Sequence, residues 1–486
     1  MKKSITKNYI YNLIYQLLII LVPFLTTPYL TRTLGSEKLA IFSFTYSIIT
    51  IFFLLSALGI NTYGQREIAY VQDNIKKRSN VFWNLVIVRA LSTIFSIIIL
   101  LIFIFIIDKY TIYYKLFLIY IVANIFDITW FYQGIENFKN IAIRNIIIKI
   151  LYCISIFIFI KTPKDINTYI ILFSSMTLLT NITFWINIKK YITKFNLKEI
   201  NIKKHIKPVI LLFIPQVASL IYTVLDKTMI GIIMSDIRNV YYYEQATYLV
   251  KTTLTLISTI GTVMVSRIAY TFESKDFKKI KDYLNTTVNF VWFLGCALCF
   301  GISATVSNFV PWFYGPGYTQ IISLVYTLSS LIIIIGLNNV IGIQFLVATK
   351  QQNKYITAVI YGAIINFILN LCLIPIIGSY GAAIASIIAE LSILLIELHH
   401  LKKSIKDFNI LNQSLKYILC GIIMFITAYT IGYLLPKTII TTIIQVIIGG
   451  TTYLLLIILT KDKFFNTYIY SKLKQILKRS KQWKQY

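Results

Sequence analysis

The chain has 486 residues, of which 57% are hydrophobic and only 13% are charged. Soluble domains carry about 25% charged residues, so this composition excludes a string of soluble domains. The net charge of +29 would favour nucleic-acid binding in a soluble protein, whereas a membrane protein is expected to carry excess Lys and Arg on its cytoplasmic side. We therefore interpret the chain as a membrane protein without a nucleic-acid partner.

Membrane-spanning helices need about 20 mostly apolar residues each. The sequence predicts fourteen of them, near 9–31, 39–60, 81–107, 114–132, 144–160, 168–188, 208–233, 241–265, 284–310, 319–346, 356–377, 380–398, 415–435 and 439–460. Two long uncharged stretches are divided where proline and glycine interrupt a helix, at PWFYGPGY around Pro311 and at IPIIGSYGAA around Pro375. The first segment lacks a small-residue cleavage site, so we expect a spanning helix there rather than a cleaved signal peptide.

The distribution of basic residues predicts the orientation of these spans. An even number of spans places both termini on one side, and 35 Lys and Arg residues fall in the loops and tails of that side. The opposite side holds eight, namely Arg32, Lys38, Lys109, Lys115, Lys161, Lys164, Arg238 and Lys437. Because cytoplasmic loops are enriched in Lys and Arg, we predict that both termini are cytoplasmic.

This topology can be tested with reporter fusions. A reporter that is active only in the cytoplasm is expected to work after Lys77, Lys204 or Lys484, because these positions fall on the basic side. One that is active only outside is expected to work after Lys164 or Gly315. The reverse result at any two of these positions would contradict the fourteen-span arrangement.

A weak internal repeat suggests how the spans are organised. LSALGINTYGQREIAY ends at Tyr70 and LISTIGTVMVSRIAY ends at Tyr270, a spacing of 200 residues, and the first and seventh spans each contain a proline, Pro23 and Pro215. Two parallel repeats of six helices are a known transporter plan. We predict an N-terminal six-helix bundle at 1–205, a second bundle at 206–405, two additional spans at 406–460 and a basic cytoplasmic tail at 461–486.

Ionisable side chains inside a span are costly and usually face a polar cavity. Seven lie deep within the predicted spans, namely Arg89, Asp127, Lys149, Asp226, Lys227, Lys251 and Glu390. We expect Arg89, Asp127 and Lys149 to share one cytoplasm-facing cavity. Two interpretations stay open. In the first, these charges form ion pairs, such as Asp127 with Lys149, that only fix helix packing. In the second, they bind an anion such as phosphate or pyrophosphate.

Several classes of catalytic or metal site have no signature in the sequence. It contains no GxxxxGK[ST] nucleotide loop, no recognisable catalytic triad and no HExxH. The predicted outer loops are too short for an extramembrane catalytic domain. The histidines fall in basic loops and the five cysteines in apolar stretches, so we expect no metal, no cofactor and no enzymatic activity.

The segment that begins in the fourth span carries a specific resemblance. Residues 124–149 read NIFDITWFYQGIENFKNIAIRNIIIK, which closely resembles the characteristic segment of Wzx-type polysaccharide flippases of the multidrug/oligosaccharidyl-lipid/polysaccharide exporter superfamily. PYLTRTLG, LGINTYGQREIA, VLDKTMIG and the run from Asn338 to Ala383 are similar to the same family, and the match follows twelve spans in order. Leu39 and Ala40 stand where the family commonly has aromatic and glycine residues, which leaves the packing of the second span open.

The resemblance implies an all-α polytopic fold of two six-helix bundles around a central cleft, with two C-terminal helices appended. It implies flipping of undecaprenyl-pyrophosphate-linked oligosaccharide repeat units across the bacterial cytoplasmic membrane by alternating access, for O-antigen or capsule synthesis. The partners that we expect are membrane lipids, H⁺ or Na⁺, and the polysaccharide polymerase machinery. We assign Arg89, Asp127, Lys149 and Lys251 to substrate binding, and Asp226 and Glu390 to ion coupling.

Three other functions stay open at this point. A drug or cation exporter of the same superfamily should have an acidic cleft, whereas the charges inside the spans are four basic and three acidic. A membrane polymerase or ligase should have a long outer loop with Arg and His, which the predicted topology lacks. A non-catalytic scaffold for polysaccharide synthesis is the third. Accumulation of lipid-linked repeat units in the cytoplasmic leaflet after deletion would separate the flippase from all three.

Overall fold

The computed structural model describes residues 5–196, 200–406, 408–411 and 413–470, and over these ranges it contains helices and no strand. The α-helices are α1 (Ile5–Thr33), α2 (Gly35–Ala57), α3 (Ile60–Tyr70), α4 (Ile75–Ile106), α5 (Thr111–Leu116), α6 (Leu118–Ala123), α7 (Thr129–Gly134), α8 (Phe138–Phe159), α9 (Ile166–Thr183), α10 (Lys203–Ile233), α11 (Arg238–Glu273), α12 (Phe277–Phe313), α13 (Thr319–Leu328), α14 (Leu331–Asn338), α15 (Gln352–Ile377), α16 (Ser379–Ser404), α17 (Ser414–Leu434) and α18 (Ile439–Leu459). Short 3₁₀ turns lie at Asn124–Phe126, Pro163–Asp165 and Ile188–Lys190, and π-helices at Asn339–Val347 and Phe465–Tyr470.

The described part of the chain has 11 helical segments that are long and apolar enough to cross a membrane. They coincide with the predicted second to sixth and ninth to fourteenth spans. The predicted first, seventh and eighth spans fall within α1, α10 and α11, which are helical. The prediction of an all-α polytopic membrane protein is confirmed, and the number of fourteen spans stays a prediction.

The chain forms two compact units, Met1–Tyr241 and Tyr242–Tyr486. Helix α10, which the sequence assigned to the second bundle, lies in the first unit because it packs against α2 and α3. The division at residue 205 and the cleft between two bundles stay predictions. Of the predicted basic tail, residues 471–486 lie outside the described residues.

Both predicted breaks occur at glycine, whereas Pro311 and Pro375, which the sequence indicated as helix-breaking residues, lie inside the last turns of α12 and α15. Helix α12 ends at Phe313, and the turn to α13 contains Gly315 and Gly317 with φ of 93° and 87°. Helices α15 and α16 are joined by Gly378 alone, with φ of 61°. These values lie in the left-handed region that glycine adopts without steric cost, so both predicted breaks are confirmed.

The fourth span is not the continuous helix that its hydropathy predicts. After α6 and one 3₁₀ turn, the backbone of Asp127 is extended, with ψ of 105°, and α7 begins at Thr129. The Asp127 carboxylate explains the break, because its Oδ1 accepts from the backbone N–H of Thr129 at 2.9 Å and from the Thr129 hydroxyl at 2.6 Å. A short acidic side chain of this kind offers the backbone an alternative to the helical hydrogen bond.

Helix α7 anchors this break with consecutive aromatic residues. Trp130, Phe131 and Tyr132 are completely buried in one core of the first unit. A Cβ atom at Gly64 of α3 would lie 2.5 Å from the Trp130 ring, so only glycine permits this approach. The two most distinctive motifs of the sequence, LGINTYGQREIA and NIFDITWFYQG, therefore pack against each other and hold Asp127 in place.

Candidate functional site

Arg89 lies near the centre of α4 and is only 1% exposed. Its Nη1 donates to Asn124 Oδ1 at 2.9 Å, and its Nη2 donates to Asn61 Oδ1. Nη2 also lies 3.5 Å from Asp127 Oδ2. The guanidinium therefore joins α3, α4 and the broken fourth span through one buried ion pair and two amide groups.

The amides around Arg89 are themselves fixed by hydrogen bonds. Asn124 Nδ2 donates to Ser56 Oγ at 2.5 Å, and Ser92 Oγ donates to the Ser56 carbonyl at 2.7 Å. Connected buried networks of this kind hold their members in one geometry. The structure also corrects the pairing considered from sequence, because the partner of Asp127 is Arg89 and not Lys149.

Lys149 lies in a neighbouring cavity of about 210 Å³ between α8 and α9. Residues at helical spacing on each helix form two facing stripes, since side chains three and four apart share a face. The lining consists of Asn145, Ile148, Lys149 and Tyr152 from α8, and of Phe173, Met176, Thr177, Thr180 and Asn181 from α9. Amide and hydroxyl groups thus surround a single ammonium group.

Lys149 forms no ion pair within the described part of the chain. An ammonium group carries three donors that can rotate toward an anion. The cavity therefore combines one positive charge with neutral donors and acceptors, which suits a phosphate group attached to a polar molecule.

The Lys149 cavity and the Arg89 network adjoin through α6. Asn181 of the cavity donates from Nδ2 to the carbonyl of Ala123 at 2.8 Å, and Ala123 precedes Asn124, the partner of Arg89. Tyr120 stacks on Phe173 of the cavity, with ring centroids 5.4 Å apart. Arg89 and Asp127 do not line this cavity, so the three residues that were expected to share one cavity lie at two adjoining sites in the first unit.

An aromatic cluster beside the cavity escaped the sequence analysis. Tyr152 packs edge-on against Phe173 with centroids 6.4 Å apart, and the Tyr46 and Tyr120 hydroxyls lie 3.2 Å apart. Its members are Phe42, Tyr46, Phe53, Phe117, Tyr120, Tyr152, Tyr169 and Phe173. The sequence feature that could have predicted this cluster is a four-residue spacing of aromatic residues. It occurs in the second span (Phe42, Tyr46) and in the sixth (Tyr169, Phe173).

The remaining predicted site residues do not line this cavity. Asp226 on α10 belongs to the first unit and is 8% exposed. Lys251 on α11 and Glu390 on α16 belong to the second unit, where Lys251 is exposed and Glu390 is buried. Glu390 Oε2 accepts from Asn338 Nδ2 at 2.5 Å. Their assigned roles stay predictions.

His205 does not lie in a solvated basic loop, as its neighbours in the sequence suggested. It is 4% exposed at the start of α10, and its Nδ1 lies 2.9 Å from the Tyr63 hydroxyl. Burial, followed by the charge of Lys204, lowers the pKa of this imidazole. The contact with Tyr63 packs α3 against α10, and among the described residues no group of three His, Cys, Asp or Glu side chains could hold a metal ion.

Comparison with known proteins decides the family. Residues 5–272, more than half of the chain, match the sequence model of the family described as "Polysaccharide biosynthesis protein". The chain belongs to this family. A protein of Escherichia coli (strain K12) described as an O-antigen transporter is 24% identical over 394 residues, which cover 80% of this chain and 94% of that protein. A Shigella dysenteriae protein with the same description is 22% identical over 389 residues, 79% of this chain and 96% of that protein.

Solved structures place this polysaccharide biosynthesis protein in a known fold. The inward closed conformation of the lipid II flippase MurJ superposes with a TM-score of 0.71 at 20% identity, covering 94% of this chain and 99% of that chain. An inward-facing multidrug resistance MATE transporter of the MOP superfamily gives a TM-score of 0.62 at 13% identity, covering 80% and 96%. The chain therefore shares the fold of these MurJ and MATE structures, and the resemblance found in the sequence is confirmed at the level of family and fold.

Proposed function

We propose that the protein flips undecaprenyl-pyrophosphate-linked oligosaccharide repeat units from the inner to the outer leaflet of the bacterial cytoplasmic membrane. The observation that carries this proposal is the Lys149 cavity, in which one unpaired cation lies among amide, hydroxyl and aromatic groups. Membership of a polysaccharide biosynthesis family and similarity to proteins described as O-antigen transporters support the same substrate class.

Different residues of the cavity would bind different parts of such a substrate. Lys149 would bind the pyrophosphate by charge-assisted hydrogen bonds, which are stronger than neutral ones. Asn145, Thr177 and Thr180 would exchange hydrogen bonds with sugar hydroxyls, while Tyr152 and Phe173 offer ring faces to the apolar face of a sugar. The polyprenyl tail would stay in lipid, so that the polar head group crosses without being buried unpaired in hydrocarbon.

Arg89 contributes to this site indirectly. It is buried and already engaged by Asn61, Asn124 and Asp127, so it fixes the end of α6, whose Ala123 carbonyl accepts a hydrogen bond from Asn181 of the cavity. Lys251 is proposed as a further substrate contact in the second unit. These two residues differ in burial, because Arg89 is buried and Lys251 is exposed. Substitution of Arg89 should therefore lower the amount of protein in the membrane. Substitution of Lys251 should reduce transport without changing the amount of protein.

Movement would follow alternating access, in which one repeat rocks against the other. The sequence contains no P-loop, so we propose that transport is driven by an ion gradient or by downstream consumption of the product. In the first case, H⁺ or Na⁺ would act at Asp226 and Glu390. Both termini are proposed to be cytoplasmic, and the polymerase that consumes the flipped unit is proposed as a partner. No cofactor is proposed.

Deletion of the gene tests the proposal in cells. The expected result is accumulation of lipid-linked repeat units in the cytoplasmic leaflet and loss of surface polysaccharide, both reversed by the wild-type gene. Normal transbilayer distribution of these lipids in the deletion strain would contradict it. Export of cationic drugs by the purified protein would instead support the multidrug alternative, which the fold shared with MATE transporters favours and the Lys149 charge opposes.

Asp226 provides a test of ion coupling. Adjacent residues on a helix point about 100° apart, so Asp226 and Lys227 cannot both face one cavity. Asp226→Asn is expected to impair transport more than Lys227→Gln, and dependence on an imposed ion gradient is expected to disappear with Asp226→Asn. Flipping by reconstituted protein with and without a gradient measures this. Normal, gradient-dependent transport by Asp226→Asn would show that the residue is only structural.

A further inference from the structure

Glu397 in the second unit is a buried acid that the proposed transport site does not use. It lies on α16, two turns beyond Glu390, and is completely buried. Neither Oε1 nor Oε2 has a hydrogen-bond partner of normal geometry in the described part of the chain. An ionised carboxylate in this position would lack both solvent and a counter-ion, which is costly in an apolar interior.

The carboxyl group occupies a space that a glycine leaves open. Gly342 lies in the π-helix Asn339–Val347, which packs against α16. A Cβ atom at Gly342 would collide with Glu397 Oε1 and would lie 2.7 Å from the ring of Tyr355 on α15. The backbone N–H of Gly342 faces the carboxyl group. π-helical segments are rare, and those found inside α-helices frequently lie at functional sites.

Other oxygen atoms near this contact are also unpartnered. Gln344 Oε1 and Asn338 Oδ1 have no hydrogen-bond partner in the described part of the chain, although both residues are more than nine-tenths buried. Asn338 uses its Nδ2 for Glu390, donating to Oε2 at 2.5 Å and to the backbone carbonyl at 3.1 Å. These unpartnered acceptors lie on α14 and the π-helix, which both pack against α16.

A proton suits Glu397 better than a metal ion does. Ca²⁺ takes six to eight oxygen ligands and Mg²⁺ requires near-octahedral geometry, whereas the described residues hold no group of three acidic, His or Cys side chains that could form such a site. One proton neutralises the carboxylate and turns one oxygen into a donor.

The charged and titratable groups around Glu397 also favour a protonated carboxyl group. Glu390 on α16 and Tyr355 on α15 are the titratable groups that act on it, and neither supplies positive charge. α14 and the π-helix contain no titratable residue. His400 follows by three residues on α16 and lies under the influence of Lys354 of α15.

We propose that Glu397 is a proton-binding residue of the second unit and that its protonation state controls the packing of the π-helix Asn339–Val347 against α16. The protonated carboxylic acid is compatible with the closed apolar contact. Release of the proton leaves an anion that needs water or a donor, so the π-helix and α16 must separate to admit one. The consequence for transport rests on the proposed flippase function; the protonation itself does not.

Infrared difference spectroscopy of the full-length protein in membranes tests the protonation directly. A pH step is expected to remove the carbonyl band of a protonated carboxylic acid in the wild type and in Glu273→Gln, whose glutamate is exposed at the end of α11. The band should be absent from Glu397→Gln, which keeps the shape of the side chain. A band that persists unchanged in Glu397→Gln overturns the proposal.

Hydrogen exchange and flipping assays test the consequences. At alkaline pH, residues 339–347 should exchange faster in the wild type than in Glu397→Gln, and at acidic pH the two should be equal. In vesicles that contain a lipid-linked oligosaccharide, the variant should lose the response to an imposed pH gradient. Equal exchange at all pH values overturns the packing step. Absence of flipping in the wild type would contradict the proposed function while leaving the infrared result to decide the role of Glu397.

Discussion

Replacing Lys149 by alanine is expected to abolish polysaccharide export while leaving the protein in the membrane at near-normal amounts. Lys149 forms no ion pair in the described part of the chain, so its removal leaves no buried acid without a partner. Hydrogen bonds to charged groups contribute about 1.5–3 kcal/mol. Loss of this contact should therefore weaken binding of a pyrophosphate-linked substrate by about 10- to 100-fold.

Two variants control this experiment. Lys149→Arg keeps the charge but changes its shape, so it is expected to retain part of the activity. Lys139→Ala removes an exposed lysine from the start of the same helix and should export normally. The measurements are surface polysaccharide and the amount of protein in the membrane. Normal export by Lys149→Ala would exclude the residue from the substrate site, and loss of the protein itself would indicate a packing role.

Arg89→Ala is expected to have a large effect of a different kind. From the sequence alone, its removal should abolish export and leave the protein intact. The structure changes this expectation, because Arg89 is 1% exposed and its loss would leave Asp127 without its cation. Breaking a buried ion pair by removing one partner costs about 3–5 kcal/mol. We therefore expect a lower unfolding temperature, less protein in the membrane and loss of export.

A double variant distinguishes the effect of leaving Asp127 without a cation from a general loss of stability. Arg89→Ala combined with Asp127→Asn removes both charges and should recover part of the lost stability, because no ionised group is then left buried alone. Arg66→Ala is the matched control, since Arg66 is paired with Glu67 on an exposed surface where such pairs contribute about 0–1 kcal/mol. Thermal unfolding in detergent measures all three. Wild-type stability of Arg89→Ala would contradict the assigned network.

The sequence alone determined the features that depend on local composition. Spans follow from runs of about 20 apolar residues, and their ends follow from proline and glycine, as at Gly315 and Gly378. The family followed from one continuous segment, residues 124–149. Each of these signals lies within a short stretch of chain, so no knowledge of helix packing is required.

The tertiary structure decided which charges meet. Asp127 could pair with Arg89 or Lys149 by position in the membrane, and the choice depends on the break at Asp127, which turns its carboxylate toward α4. Glu397 was not recognised, because it lies next to the basic segment HHLKK near the end of a predicted span. In the folded chain the π-helix packs over it, with glycine at 342, and helps to bury that carboxyl group. Sequence spacing specifies the face of one helix, whereas the partner of that face depends on the packing of distant segments.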